Sequence, residues 1–210
     1  ALYFSYAKAN REPNRTDYEN GNPKPEKLDD YELGWRHQSE KITWNANLYY
    51  MAYKNQLIFT GNLDEVGNPI RSNSEKSYRA GVELDATFTI AKKWILRPNF
   101  SYSQNKNVDL EVSGESVGTK DIGYSPSIVA GNILTFKPSD QLQVSWLFKF
   151  VGEQYLNNIE SADAKLPDYA INDLNVAYEI KTKSVFKSIV LTGLVNNVFD
   201  KQYVSNGYMY

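Results

Sequence analysis

Cysteine is absent from the 210 residues, and His37 is the one histidine. The first absence excludes disulfides, thiolate metal sites and a cysteine nucleophile; a lone imidazole cannot build a histidine metal centre. No run of roughly 18 apolar residues occurs, so no segment reads as a transmembrane helix. Charge of one sign is not in excess: 23 Lys plus Arg stand against 25 Asp plus Glu, net −2, and no nucleic-acid partner is expected from such a balance. A phosphate-cradling glycine loop, a Gly-x-Ser-x-Gly elbow and a His-Glu-x-x-His pair are all missing. No catalytic residue, no resident metal and no cofactor are therefore expected, and the chain does not read as an enzyme. It opens on Ala1-Leu2-Tyr3-Phe4-Ser5-Tyr6, without the charged and apolar segments of a signal peptide; if exported, it is expected to be an internal piece of a longer protein.

What the sequence does have is aromatic residues and alternation. There are 16 Tyr and 4 Trp, many at the ends of alternating runs, where membrane barrels place aromatic girdles, although soluble β-proteins favour aromatics too. Leu2, Phe4 and Tyr6 share one face, as do Tyr31, Leu33 and Trp35 opposite Glu32, Gly34 and Arg36. Over 77–90, Tyr78, Ala80, Val82, Leu84, Ala86, Phe88 and Ile90 alternate with Arg79, Gly81, Glu83, Asp85, Thr87 and Thr89. One face is wholly apolar and predicts lipid contact; the other needs water. Similar patterns cover 41–54, 94–104, 142–152 and 171–180, whereas 127–137 and 188–199 are apolar on both faces in places and their facing stays open. The total is about nine strands, many meeting the roughly 9–11 tilted residues that cross a bilayer. Because polar residues alternate with apolar ones, the negative mean hydropathy is no objection.

Connections supply orientation. Those at 38–40, 91–93, 137–140 and 181–187 are short, and those at 9–27, 60–72, 105–125 and 153–168 are long, in strict alternation. Outer-membrane barrels keep such a schedule, with short turns in the periplasm and long loops outside. The fold class expected is an all-β antiparallel up-and-down transmembrane barrel, present here as about nine strands.

Four segments carry a resemblance. Leu2-Tyr3-Phe4-Ser5-Tyr6-Ala7-Lys8 followed by Asn10-Arg11-Glu12-Pro13, Pro25-Glu26-Lys27-Leu28-Asp29-Asp30-Tyr31-Glu32-Leu33-Gly34, Tyr78-Arg79-Ala80-Gly81-Val82-Glu83-Leu84, and Val195-Asn196-Asn197-Val198-Phe199-Asp200-Lys201-Gln202-Tyr203 resemble, in order and spacing, barrel segments of TonB-dependent outer-membrane receptors. The resemblance implies a barrel of roughly 22 strands closed by an N-terminal plug. It also implies import of a scarce nutrient, such as an iron–siderophore complex or cobalamin, across the outer membrane of a Gram-negative bacterium. The partners implied are outer-membrane lipid, the TonB complex acting through the plug, and the small nutrient. Against that family, residues 1–210 are expected to be a C-terminal portion of the barrel. Signal peptide, TonB box, plug and final strand would be missing, with Met209-Tyr210 in the last outer loop.

Ligand contacts are expected from outer loops and the upper lumen, with Arg11, Arg15, Tyr18, Tyr102, Tyr124 and Tyr155 as candidates, because Arg and aromatic groups commonly anchor ligands. Ordinary loop packing competes for each. Asp29, Asp30 and Glu32 suggest a cation site, but Asp29 points away from the other two, which favours a polar lumen wall. Glu83 and Asp85 likewise read as hydrated lumen residues rather than a glycosidase pair, and His37 as interfacial decoration. Two other functions compete: a passive porin, which shares the barrel without a plug, and a soluble β-sheet ligand-binding module, which would pack its apolar faces sheet on sheet.

Overall fold

Alternation of period two fixes which side chains share a face, and pairing of neighbouring strands then joins the faces into rows. The computed structural model describes residues 1–112, 114–182 and 185–207. The strands, in chain order, are β1 (Leu2–Arg11), β2 (Glu26–Gln38), β3 (Ile42–Leu63), β4 (Pro69–Ala91), β5 (Trp94–Val112), β6 (Glu115–Asp121), β7 (Ile128–Phe136), β8 (Leu142–Val151), β9 (Gln154–Tyr155), β10 (Lys165–Leu166), β11 (Tyr169–Lys181) and β12 (Ser188–Val195), with one short helix, α1 (Arg15–Glu19), and a 3-10 turn at Ala162–Ala164. Ten of the strands form one sheet in the order β1-β2-β3-β4-β5-β7-β8-β11-β12, with β6 folded back on β5; β9 and β10 pair separately. Every pairing is antiparallel. β1 and β12 are the two ends of the sheet and do not pair with each other, so the barrel is not closed within this chain.

Register makes the two faces continuous. Leu2, Trp35, Ala46, Leu84, Phe100, Ala130, Phe150 and Ala170 are successive partners across eight strands. One pleat away, Arg36, Asn45, Asp85, Asn99, Gly131, Lys149 and Ile171 form the opposite row. The apolar face is not covered by a second layer: Leu2 is 73% exposed and Trp35 56%, and a contiguous exposed apolar face marks an interaction surface.

The two segments of open facing resolve by pairing. In β7, Ile128, Ala130, Leu134 and Phe136 join the apolar face, opposite Tyr102, Phe100, Leu96 and Trp94; Val129, Ile133 and Thr135 join the polar one. In β12, Ile189, Leu191 and Val195 follow Ile180, Tyr178 and Leu174 onto the apolar face. This strand stops at Val195, earlier than expected. Asn197 and Asp200 adopt left-handed backbone, φ 49° and 48°. The Asn197 side chain closes a corner by accepting from Lys201 N and donating to Lys201 O, both at 3.0 Å. The Asn197 amide donates to Asp173 on β11 at 2.7 Å.

The long connections differ most from expectation, because much of them is strand. β3 and β4 run on to a hairpin turned over 64–68, and the connection at 105–125 is largely β5 with β6. The sequence hides this because those hairpins pack on one another and so lack a clean apolar–polar alternation. The turn at 181–187 includes positions 183 and 184, and Met209-Tyr210 also lies outside the described residues.

Two glycines let side chains lie across neighbouring strands on the polar face. A Cβ on Gly34 would fall 2.0 Å from the Tyr3 ring, and one on Gly81 would fall 2.4 Å from the Tyr102 carbonyl and 2.7 Å from the Tyr49 hydroxyl. At Gly81 the nearest obstacle is backbone, which cannot swing aside. Gly81→Ala should therefore cost about 1–3 kcal/mol through overpacking, read as earlier urea unfolding of the full-length barrel in lipid; an unchanged midpoint would contradict the packing described.

Candidate ligand-binding site

Beyond the apolar band the outer ends of the strands pack against other segments of the chain. Asn55 takes φ 56°, and the residues after it, Gln56, Leu57 and Ile58, are buried. Ser77 donates to Gln56 Oε1 across the β3–β4 pair, and the Leu57 amide donates to Glu26 at 2.9 Å. Asn158, buried in the 153–168 connection, holds three segments at once: its Oδ1 accepts from Asn107 Nδ2 at 3.2 Å and from Gly123 N at 2.9 Å, and its Nδ2 donates to Phe59 O at 2.8 Å. Lys106 pairs with Asp121 at 2.6 Å, and Lys120 with Glu160 at 3.6 Å. These polar contacts tie the outer hairpins into one cap.

At the tip of the β3–β4 hairpin, Asp64 accepts hydrogen bonds from Val66 N, Asn68 N and Asn68 Nδ2 at 2.8–3.0 Å. The Asn68 amide, first among these donors, holds the carboxyl below its ordinary 3.8. Because the folded value is the lower one, the stabilisation is complete above 3.8 and is lost as pH falls through the folded value. Exchange protection at Val66 and Asn68, corrected for intrinsic rate, should fall below pH 3.8, whereas Asp64→Asn should remove that pH dependence. A pH-independent wild-type turn would contradict the assignment.

The polar face carries a cleft of about 320 Å³ lined by Glu32, Asn47, Tyr49, Arg79, Glu83 and Tyr124, among others. Arg79 Nη1 donates to Asn105 Oδ1 at 3.2 Å and to Ser125 Oγ at 3.0 Å. Tyr124 also borders a more apolar cavity of about 630 Å³ with Phe59, Leu63, Pro69 and Leu156. Its backbone is left-handed, φ 56°, its amide donates to Tyr155 O at 2.7 Å, and its hydroxyl donates to Gly207 O at 3.2 Å. A tyrosine so fixed presents one ring to two neighbouring spaces.

Of the six candidate residues, Tyr124 and Tyr155 are brought together by that hydrogen bond. Arg11, Arg15 and Tyr18 lie apart from them, on β1 and α1, with Arg15 paired to Glu19 at 2.8 Å. Tyr102 is placed on the apolar face, between Val82 and Ile128, so it does not reach the cleft; strand alternation alone could have shown this. Arg79 carries no loop signal in the sequence, being a mid-strand arginine on a polar face, although it directly precedes Ala80-Gly81-Val82-Glu83. Asp29 faces outward, taking a hydrogen bond from Tyr6 at 2.7 Å and pairing with Lys8 at 3.5 Å, whereas Asp30 and Glu32 are on the polar face with Ala7 and Ser5. Among the described residues, no group of three or more His, Cys, Asp or Glu side chains is arranged to hold a metal. His37 stacks on Trp44 at 6.2 Å, at the end of the sheet with short turns.

Comparison with known proteins agrees with this architecture. A family model described as "TonB dependent receptor-like, beta-barrel" matches residues 1–198. The pesticin receptor of Yersinia enterocolitica is 26% identical over 190 residues, covering 88% of this chain and 26% of its own length, and that of Yersinia pestis is 25% identical over 194 residues. The chain thus spans about a quarter of the curated relatives it matches. Among solved structures, the copper transporter OprC superposes with a TM-score of 0.72 at 22% identity, covering 97% of this chain and 31% of that one. The ferric yersiniabactin uptake receptor FyuA from Yersinia pestis gives 0.71 at 20%, covering 100% and 31%. The ferric enterobactin receptor PfeA of Pseudomonas aeruginosa, in complex with enterobactin, gives 0.71 at 19%, covering 95% and 33%. Residues 1–198 therefore make this chain a member of the TonB-dependent receptor β-barrel family.

Proposed function

We propose that the chain forms one side of an outer-membrane receptor that takes up a scarce nutrient, an iron–siderophore complex or cobalamin, with energy delivered by TonB through a plug supplied by other residues of the same protein. The observation that carries this reading is the cleft of Arg79, Glu32, Glu83 and Tyr124 on the polar face, bordered by the segment Tyr124-Ser125-Pro126. A polar lumen with an aromatic residue in its wall can hold a hydrated, polyfunctional ligand, and the ligands named for two of the structural neighbours, ferric yersiniabactin and enterobactin, are of that kind. Tyr78, Ala80, Val82, Leu84, Ala86, Phe88 and Ile90 then face lipid. Tyr124 is the ligand contact of choice among the candidates; Tyr155, held to it through its backbone carbonyl, lines a neighbouring pocket, and Arg11, Arg15 and Tyr18 would meet ligand only at the outer rim.

The test is accumulation of labelled ferric siderophores and cobalamin by cells carrying the full-length protein, with and without functional TonB. Uptake should require TonB and drop at least about tenfold in Arg79→Ala or Tyr124→Ala, a loss of about 1.4 kcal/mol in binding. Uptake that survives loss of TonB would favour a passive porin instead.

A further inference from the structure

Lys27, Lys54 and Lys76 are direct cross-strand partners on β2, β3 and β4. Three cations in register on adjacent strands repel one another. Their neighbours on the same face are already neutralised, Lys8 by Asp29 and Lys106 by Asp121. Among the described residues, however, no carboxylate oxygen lies within 4.0 Å of Lys27, Lys54 or Lys76. All three side chains are exposed. A chain of net charge −2 has carboxylates to spare, so the unmatched row points to an anion from outside the protein.

Its height identifies the kind of anion. The lysines continue the apolar face, not the cleft: Lys76 is two residues above Tyr78, and Lys27 and Lys54 are four residues above Tyr31 and Tyr50. These tyrosines, with Tyr6, form an aromatic belt, Tyr6–Tyr31 at 5.0 Å and Tyr50–Tyr78 at 6.0 Å between ring centres, of the sort that marks a membrane–water interface. Along a strand tilted about 45°, the lysines stand roughly 5–9 Å beyond the belt, within the headgroup layer. The row is roughly 10 Å long, two strand spacings, enough for more than one phosphate oxygen to be met at once.

We infer that Lys27, Lys54 and Lys76 form a binding site for the phosphate-bearing headgroup of an outer-leaflet lipid, an inference that rests on the outer-membrane reading above. Three lysine ammonium groups offer nine N–H donors, and a phosphorylated headgroup supplies the acceptor oxygens and the charge that the row lacks. Lysine suits such a mobile target, because its ammonium is a point charge on a flexible stem.

The experiment uses the full-length protein in detergent, titrated with diphosphoryl lipid A and followed by native mass spectrometry. The variant Lys27→Gln/Lys54→Gln/Lys76→Gln should bind about a hundredfold more weakly than wild type. Lys41→Gln/Lys92→Gln/Lys181→Gln, at the opposite end of the sheet, should bind as wild type does. Heat-modifiable electrophoretic mobility of each variant establishes that it folds. Equal binding by wild type and the first variant, equal losses in both variants, or displacement of the lipid by an equal concentration of inorganic phosphate would each overturn the inference while leaving the receptor reading in place. A wild-type protein that inserts into no membrane would overturn both.

Discussion

Leu84→Arg in the full-length protein should lower the stability of the folded barrel in a bilayer by about 2–4 kcal/mol. Leu84 lies midway along the apolar run of β4, paired with Ala46 on one side and Phe100 on the other. It is 44% exposed in the isolated chain, so no second protein layer covers it. An arginine there must hold its guanidinium in hydrocarbon or drag it toward an interface several residues away in either direction. Arg79, nearer the outer end of the same strand, bears its charge on the opposite face, where Asn105 and Ser125 accept from it. The penalty therefore belongs to the face and not to the residue type. The paired control Asp85→Arg, one residue away on the polar row with Asn45 and Asn99 and outside the cleft, should unfold within about 1 kcal/mol of wild type if the polar face is hydrated, since surface changes away from special features are small. Urea unfolding into lipid vesicles reads both, and a Leu84→Arg protein as stable as wild type would remove the membrane from this face.

How far the sequence could carry this reading depended on what each residue was packed against. Within the apolar band, side chains have one of two surroundings, and alternation such as Tyr78 to Phe88 is enough to assign face and strand. Where β7 carries Val129 and Ile133 on the polar face, composition no longer distinguishes the sides, and only the pairing with Ser101 and Arg97 does. Outside the band a third surrounding appears, protein against protein. There Ser74 and Asn107 are fully buried, and Leu110 and Ile122 are buried too, so polar runs that look like loops are strands. The candidate site suffered the same way: Tyr124 and Tyr155 were legible as loop aromatics, but Arg79 and the bridging Asn158 depend on contacts between residues far apart in the chain. Tyr102 shows the converse, a residue whose alternation was legible and whose chemistry suggested otherwise; register decided for the apolar face.

Arg71→Ala should release the first outer segment from the cap. Helix α1 has five residues, too few to persist alone, and its capping box between Asn14 and Asp17 orders only its first turn. What fixes it to β4 is Asp17: Oδ1 accepts from Arg71 Nε and Oδ2 from Arg71 Nη2, both at 2.8 Å. The two side chains are 3% and 13% exposed, so this is a buried, bidentate pair. Taking away the guanidinium leaves Asp17 Oδ1 without its donor and a carboxylate without its cation, a change that costs about 3–5 kcal/mol for a buried pair. Surface segments open with free energies well below that of the whole fold, so a loss of this size exceeds what holds the segment down, and α1 detaches rather than the barrel unfolding. Two signals follow in the full-length protein: exchange protection over 14–19 disappears, and trypsin gains access to the bond after Arg15 while the sheet stays resistant. Asp17→Asn/Arg71→Ala should be milder than Arg71→Ala alone, because no buried charge is stranded. Unchanged protection over 14–19 in Arg71→Ala would show that the helix is held by something other than this pair.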